Sequence, residues 1–239
     1  LEELEWMANA KSLPEPDRYA VCAYEDMPIK EFYEGVFEDA FIFYHPFIKP
    51  RTIDYERFLP DTYPTRMEIM EHCETVTWEN VLKLTGIPDA AQLDIGLRSL
   101  IYGLKKEFAN DETAKIIANI CEKEKIVCPT EGLFPEIIMA GLLESIKNLG
   151  HDWIWCGDEF CTERKLEYTE DLIKDLDLLH RARRNLFTHD QSILITTHWD
   201  SHFSMLCSDK ATLKKIVEEC QLEGFYCNDH TEIYWSLSN

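Results

Sequence analysis

The sequence predicts an α+β fold, and three observations predict it. Apolar residues recur at helical spacing from residue 64 to residue 150. From residue 151 onward the pattern changes to short stretches that alternate with a period of two. Those stretches follow one another in antiparallel hairpin order, not as crossovers joining parallel strands. The expected molecule is a single globular α+β domain over residues 1–239, with a helix-rich middle (64–150) and a sheet-rich last part (151–239). The antiparallel sheet is built mainly from the C-terminal third.

Taken in order, Leu1 to Ala10 reads as a short helix and Arg18 to Tyr24 as a strand. Pro28 suits the first turn of a helix running to about Glu38, because it has no N–H to lose there. Ala40 to Tyr44 is a short apolar strand, and the aromatic stretch Arg51 to Thr65 is expected to pack down as a lid. Thr77 starts a helix that Gly86 and Pro88 stop. Leu93, Leu97, Leu100, Ile101, Leu104 and Phe108 form one buried stripe. Asp111 caps a helix to about Lys125 with Ile116, Ile117 and Ile120 inward, and Pro135 and Gly150 bracket the next. Asp152 to Cys156 and Arg164 to Tyr168 are paired strands, and Thr169 caps a helix to about Arg181. Asp209 or Ser208 caps an amphipathic helix that stops near Gly224. Phe225 to Cys227 and Glu232 to Trp235 form a last hairpin.

The most strongly patterned stretch is THDQSILITTHWDSHFSMLCSD, Thr188 to Asp209. Ile193 to Thr197 and His202 to Cys207 read as two strands, reversing over Trp199, Asp200 and Ser201. His198 then faces His202, and Ile195 faces Met205. One face is Ile193, Ile195, Thr197, Phe203, Met205 and Cys207; the other carries His198, His202 and Ser204 and is left available. Directly opposed Cβ atoms stand roughly 4.5–5.5 Å apart. A single strand over the same residues is the competitor, and it lines up His198, Asp200 and His202 on one face. Either way His198, Trp199, Asp200 and His202 are the candidate ligand-binding residues. Zinc needs three or four converging ligands, and His189, Asp190, Asp229, His230 and Cys207 have no spacing that delivers them. No metal is expected, with His198 and His202 as the candidates if there is one, and no cofactor.

Composition narrows the function classes. At 45% hydrophobic and 12% aromatic, the chain is globular in character. A formal charge of −21 excludes nucleic acid and anionic membrane as expected partners and favours a basic protein partner. The arginines at 181, 183 and 184 are expected to pair with nearby carboxylates. Neither a membrane span nor a secretory signal is visible. Nine cysteines, scattered and with no CxxC pair, point to a reducing cytoplasm.

The chain has no GxGxxG, Walker, GxSxG, HExxH or kinase signature. Glu131, Asp158 and Glu159 are the carboxylates to inspect for raised pKa values. Cys207, on the face away from the histidines, is a poor nucleophile. At YHPFIKP (Tyr44 to Pro50), GDEFCTERKLEY (Gly157 to Tyr168) and THWDSHFSMLC (Thr197 to Cys207) the chain resembles an uncharacterised domain family of bacilli. That resemblance implies no activity. In its acidity and its Trp/His hairpin the chain is also similar in general character to immunity proteins of bacterial toxin systems. The expected function is a non-catalytic, cytoplasmic protein-binding domain. The alternative is a small-molecule-binding or metal-assisted hydrolytic enzyme built on His198 and His202.

Overall fold

The computed structural model describes residues 14–237, so the expected helix Leu1 to Ala10 lies outside the described residues. Chain order begins with a helical turn α1 (Ile29–Phe32), strands β1 (Asp39–Tyr44) and β2 (Phe47–Pro50), α2 (Arg66–His72) and β3 (Cys73–Val76). Four helices follow: α3 (Trp78–Thr85), α4 (Ala90–Leu100), α5 (Asp111–Glu124) and α6 (Glu136–Asn148). The last part contains β4 (Trp153–Gly157), β5 (Arg164–Tyr168), α7 (Thr169–Lys174), β6 (Asn185–Thr188), β7 (Leu194–Thr197), β8 (Phe203–Ser208), α8 (Lys210–Glu219) and β9 (Gly224–Tyr226).

Seven strands pair in the order β5–β4–β6–β7–β8–β1–β9, every neighbour antiparallel. Five of the seven come from residues 153–208, which makes this the α+β fold with a C-terminal sheet that the patterning predicts. One edge strand, β5, carries Arg164, Lys165 and Glu167; the other, β9, has three residues. Both faces of the sheet are buried. On one, Phe41, Phe43, Ile154, Leu186, Ile195 and Leu206 meet Met139, Leu142 and Ile146 of α6, Leu172 of α7, and Leu213 and Ile216 of α8. On the other, Ile42, Phe187, Leu194, Phe203, Met205 and Cys207 meet mostly irregular chain: Ala20, Val21 and Ala23, then the single turn α1 with Tyr33, and Cys227 and Ile233 from the C-terminal segment. A third apolar cluster joins the two-stranded sheet β2–β3 to α3, α4 and α5 through Phe47, Trp78, Leu93, Leu97 and Ile117.

Local chemistry explains the helix starts. Thr77 accepts from the Asn80 N–H, and Glu223, from far along the chain, accepts from the N–H groups of Trp78 and Glu79. That carboxylate sits where the helix dipole favours negative charge. Asp209 caps α8 by accepting from Ala211 and Thr212. Thr65 and Glu68 form a reciprocal capping box on α2. Gly96 on α4 has no Cβ because one there would lie 2.6 Å from Ile117 and Thr113, so α4 and α5 approach closely at that point.

Several expectations are corrected. The hairpin pairs Thr197 with Ser204, Thr196 with Met205, Ile195 with Leu206 and Leu194 with Cys207, one residue away from the expected register. A one-residue slip turns every β8 side chain to the opposite face, so Phe203, Met205 and Cys207 share a face with Leu194, not with Ile195. The reversal is a five-residue loop, His198–His202, held by tertiary contacts described below. Arg18 to Tyr24 is no strand: a 3-10 turn at Arg18–Ala20 leads into extended chain that covers the sheet. Glu232 to Trp235 is likewise not a strand, and β9 pairs with β1 instead. The Pro28 helix stops at Phe32, and α7 stops at Lys174, before the 3-10 turn Leu176–Leu178. Asn110, not Asp111, caps α5; Ile116 and Phe108 are exposed. Arg183 and Arg184 donate to the carbonyls of Glu163 and Arg181 rather than to carboxylates.

Candidate functional site

The 198–202 loop is organised by a side chain a hundred residues away. Arg98, on the inward face of α4, is fully buried and donates from Nε to Asp94 Oδ2 (3.1 Å) and from Nη1 to Asp200 Oδ1 (3.1 Å). Its Nη2 donates to Ser201 Oγ (3.0 Å) and to the carbonyl of Ile233 (3.3 Å). The guanidinium lies 4.7 Å from the Tyr234 ring centroid and 5.6 Å from that of Phe203. Ser236 Oγ donates to Asp94 Oδ2 (2.6 Å), and Tyr234 OH to Asp200 Oδ2 (3.2 Å). One cation thus ties α4, the loop and the C-terminal segment together, with all three of its nitrogens hydrogen-bonded.

His198 continues the network outward. Its Nδ1 is 2.7 Å from Asp200 Oδ1 and its Nε2 is 2.8 Å from Glu25 Oε1. Burial works to raise the Asp200 carboxyl, but the hydrogen bond from His198 and the charge of Arg98 outweigh it and hold Asp200 below the usual carboxylate range. Asp94, fully enclosed, goes the other way: burial raises it despite the Arg98 charge. Tyr234 is pushed up to about 12 by burial and by the neighbouring Asp200 charge. Glu131 is raised, by burial first and then by the Asp200 charge.

His202 takes a different direction from His198. It is buried on the side of His45, whose N–H donates to the His202 carbonyl (2.9 Å). His45 Nε2 stands 2.7 Å from Ser204 Oγ, and the Trp78 indole donates to the His45 carbonyl (2.8 Å). Burial lowers both imidazoles to about 3, with the His45 and Arg98 neighbours adding to the effect at His202. The histidine face expected to be left available is therefore enclosed, because the loop folds down onto Arg98. The expected partners of a metal site are dispersed as well. His189 bonds the Trp155 indole, Asp190 bonds Ser192, and Cys207 lies in the apolar cluster beneath the N-terminal segment. Among the described residues no group of three or more His, Cys, Asp or Glu side chains is arranged to hold a metal ion.

One loop residue faces outward. His198, Asp200, Ser201 and His202 are each no more than 5% exposed, whereas Trp199 is 52% exposed. Its indole N–H reaches Glu25 Oε1 at 3.4 Å. Gly132 supports the loop from below: its N–H donates to the Ser201 carbonyl (2.9 Å), and at φ +56° a Cβ would fall 2.0 Å from the Trp199 carbonyl oxygen. Trp199 borders a cleft of about 260 Å³ that Tyr24, Glu25, Glu159, Phe160 and His198 also line. Tyr24 and Phe160 are 46% and 64% exposed. The cleft continues past Phe160 into a second one of about 330 Å³, where Glu15, Asp17 and Arg164 stand. On the far side of Glu25 lies a third, about 270 Å³, bordered by Lys105, Phe108 and Tyr234.

Glu25, Arg98, Asp94, Tyr24, Phe160 and Tyr234 are thus site residues that the patterning does not single out. Asp94 and Arg98 carry a legible sign: an acid and a base four apart, inside the apolar stripe of Leu93, Ile95 and Leu97. The others sit on irregular chain, which has no period to read.

Comparison with known proteins fits this architecture to a lineage. An uncharacterised protein of Bacillus subtilis (strain 168), YwbB, is 22% identical over 222 residues, covering 88% of this chain and 96% of that protein. No solved structure matches the chain significantly. No helix among the described residues is long and apolar enough to cross a membrane. Residues 25–237, from the cleft carboxylate to the C-terminal turn, match the family described as protein of unknown function (DUF2711), and the chain belongs to that family.

Proposed function

We propose that this chain is a non-catalytic protein-binding domain that docks a basic, extended segment of a partner along the cleft at Trp199. The observation that carries the reading is the contrast inside one loop: four residues locked below the surface and one indole held out. A ring fixed in place before its partner arrives loses little freedom on binding, and tryptophan is among the residues enriched at the energetic centres of protein interfaces. Tyr24 and Phe160 supply two more ring faces beside it, and Glu25 and Glu159 supply carboxylates. Aromatic faces and carboxylates both attract ammonium and guanidinium groups. The groove continues to Glu15 and Asp17, and the whole chain carries −21, so approach of a cationic partner is favoured at long range. An immunity-type role, with a basic toxin domain as the partner, is one instance of this chemistry. The cytoplasm belongs to the same proposal, supported by nine thiols spread through the protein.

The test is a titration of the intact chain with an arginine- and lysine-rich peptide and with an acidic peptide of equal length. The basic peptide is expected to bind and to weaken as salt rises, with Trp199→Ala reducing affinity by about tenfold or more. Equal affinity for the two peptides, or a Trp199→Ala variant that binds as the parent does, overturns the reading.

A second reading has one observation in its favour. The His198 ring lies on the cleft wall between Glu25 and Asp200, the arrangement of a base with an orienting carboxylate. It is a small-molecule or hydrolytic site using His198 without His202. A screen of ester and amide substrates tests it, and activity retained in His198→Gln removes it.

A further inference from the structure

We infer that Cys121 and Cys128 form a redox-active dithiol, a site that hydrogen peroxide converts into an intramolecular disulfide. Their sulfurs stand 3.5 Å apart. Cys121 lies in the last turn of α5. Lys125, in the left-handed conformation at φ +54°, reverses the chain, and the Ile126 N–H donates back to the Cys121 carbonyl (2.9 Å). Val127 is then fixed by two backbone hydrogen bonds with Ile48 of β2, N–H to carbonyl in both directions at 2.7 and 3.0 Å. Cys128 follows at once. Both sulfurs are therefore presented by hydrogen-bonded backbone, and the 3.5 Å between them has to close to about 2.05 Å for a disulfide.

The two thiols are not equivalent. The contact between the two sulfurs lowers the Cys121 thiol, and the same contact with burial pushes Cys128 well above its ordinary value. Other thiols are pushed up, by burial first and then by nearby carboxylates, Cys22, Cys156 and Cys227 to about 12. Cys121 is buried and Cys128 half-buried, so peroxide reaches the pair from the Cys128 side.

The chemistry balances with peroxide as the oxidant. The Cys121 thiolate attacks one peroxide oxygen; an S–O bond forms, the O–O bond breaks, and the departing hydroxide takes up the Cys121 proton as water. Cys128 then attacks the Cys121 sulfur; the S–S bond forms, the S–O bond breaks, and the second hydroxide leaves with the Cys128 proton as water. Two electrons pass from the two sulfurs to the peroxide. A dithiol reductant reverses the outcome.

The test treats the intact, folded chain with hydrogen peroxide, blocks remaining thiols by alkylation, and maps the peptides without reduction. The expected result is one crosslink between the peptides holding Cys121 and Cys128, a mass lower by two hydrogens, and restoration by dithiothreitol. This loss of thiol is expected to outpace that of any other cysteine by about tenfold or more. Cys128→Ser, at the half-buried position, is expected to remove the crosslink and leave a sulfenic acid at Cys121 that dimedone traps. A crosslink forming first at another pair overturns the inference. So does oxidation of Cys121 and Cys128 in the parent chain no faster than at Cys22 or Cys220, or to sulfinic acid without a crosslink.

Discussion

The two faces of the seven-stranded sheet are both buried, by different means. Helices α6, α7 and α8 cover one, and their apolar side chains repeat at helical spacing. Irregular chain from both ends of the molecule covers the other, and there α4, the 198–202 loop and the C-terminal segment are tied by Arg98. Helical cover satisfies its own backbone and needs only apolar contact. Irregular cover brings unpaired polar groups with it, and a buried polar group must find a partner. The second side is thus where the Arg98 network and the Trp199 cleft are found.

Acid acts at the helix-covered face, where His45 bonds Ser204 beside the start of α6 and His202 is its enclosed neighbour. His45 and His202 have pKa values of about 3 in the folded chain against an ordinary 6.5, so below about 6.5 the unfolded state binds more protons. Their contribution is fully present above the unfolded value and is lost as pH falls from about 6.5 towards 3, at up to about 2.7 kcal/mol per pH unit for the two together. Denaturant midpoints measured across that range are expected to fall steeply, and His45→Gln to flatten the slope; a midpoint constant from pH 7 to pH 4 refutes the account. Next in size, Arg98→Ala leaves Asp94 and Asp200 without their cation and is expected to cost about 3–5 kcal/mol. Leu142→Ala, on the helix-covered side, is expected to cost about 2–5 kcal/mol through its cavity. Its loss, measured by urea unfolding, is expected to be the same at pH 7 and pH 5, because the cavity removes no titrating group; a pH-dependent loss would show that it couples to the His45 pair. Trp199→Ala is the smallest, within about 0.5 kcal/mol, because half of the side chain already meets water. A thermal melt checks it.

The same contrast explains what could be read from the residues in advance. Caps at Thr77 and Asp209, the Pro135–Gly150 bracket around α6, and strands β4, β5, β7 and β8 follow from local chemistry, and all are present. The β7–β8 register differs by one because the loop answers to Arg98, a contact across 102 positions of sequence. Both faces of these strands are buried and mix apolar residues with Thr and Ser, so alternation alone does not choose between the two registers. Strand β6 and the β2–β3 pair are short and uniformly apolar or mixed, with no period to mark them. Of the candidate residues, His198, Trp199 and Asp200 belong to one network with the cleft, and His202 to the enclosed His45 pair. Glu25 joins them from the N-terminal segment, and that kind of encounter is written in the tertiary structure alone.

The borders of the sheet have a consequence of their own. At one, Arg164 and Lys165 stand out towards solvent; at the other, β9 ends after three residues. Cationic side chains and a truncated border both discourage another copy from extending the ladder. Both ends of the long antiparallel ladder therefore work against fibre growth at high concentration.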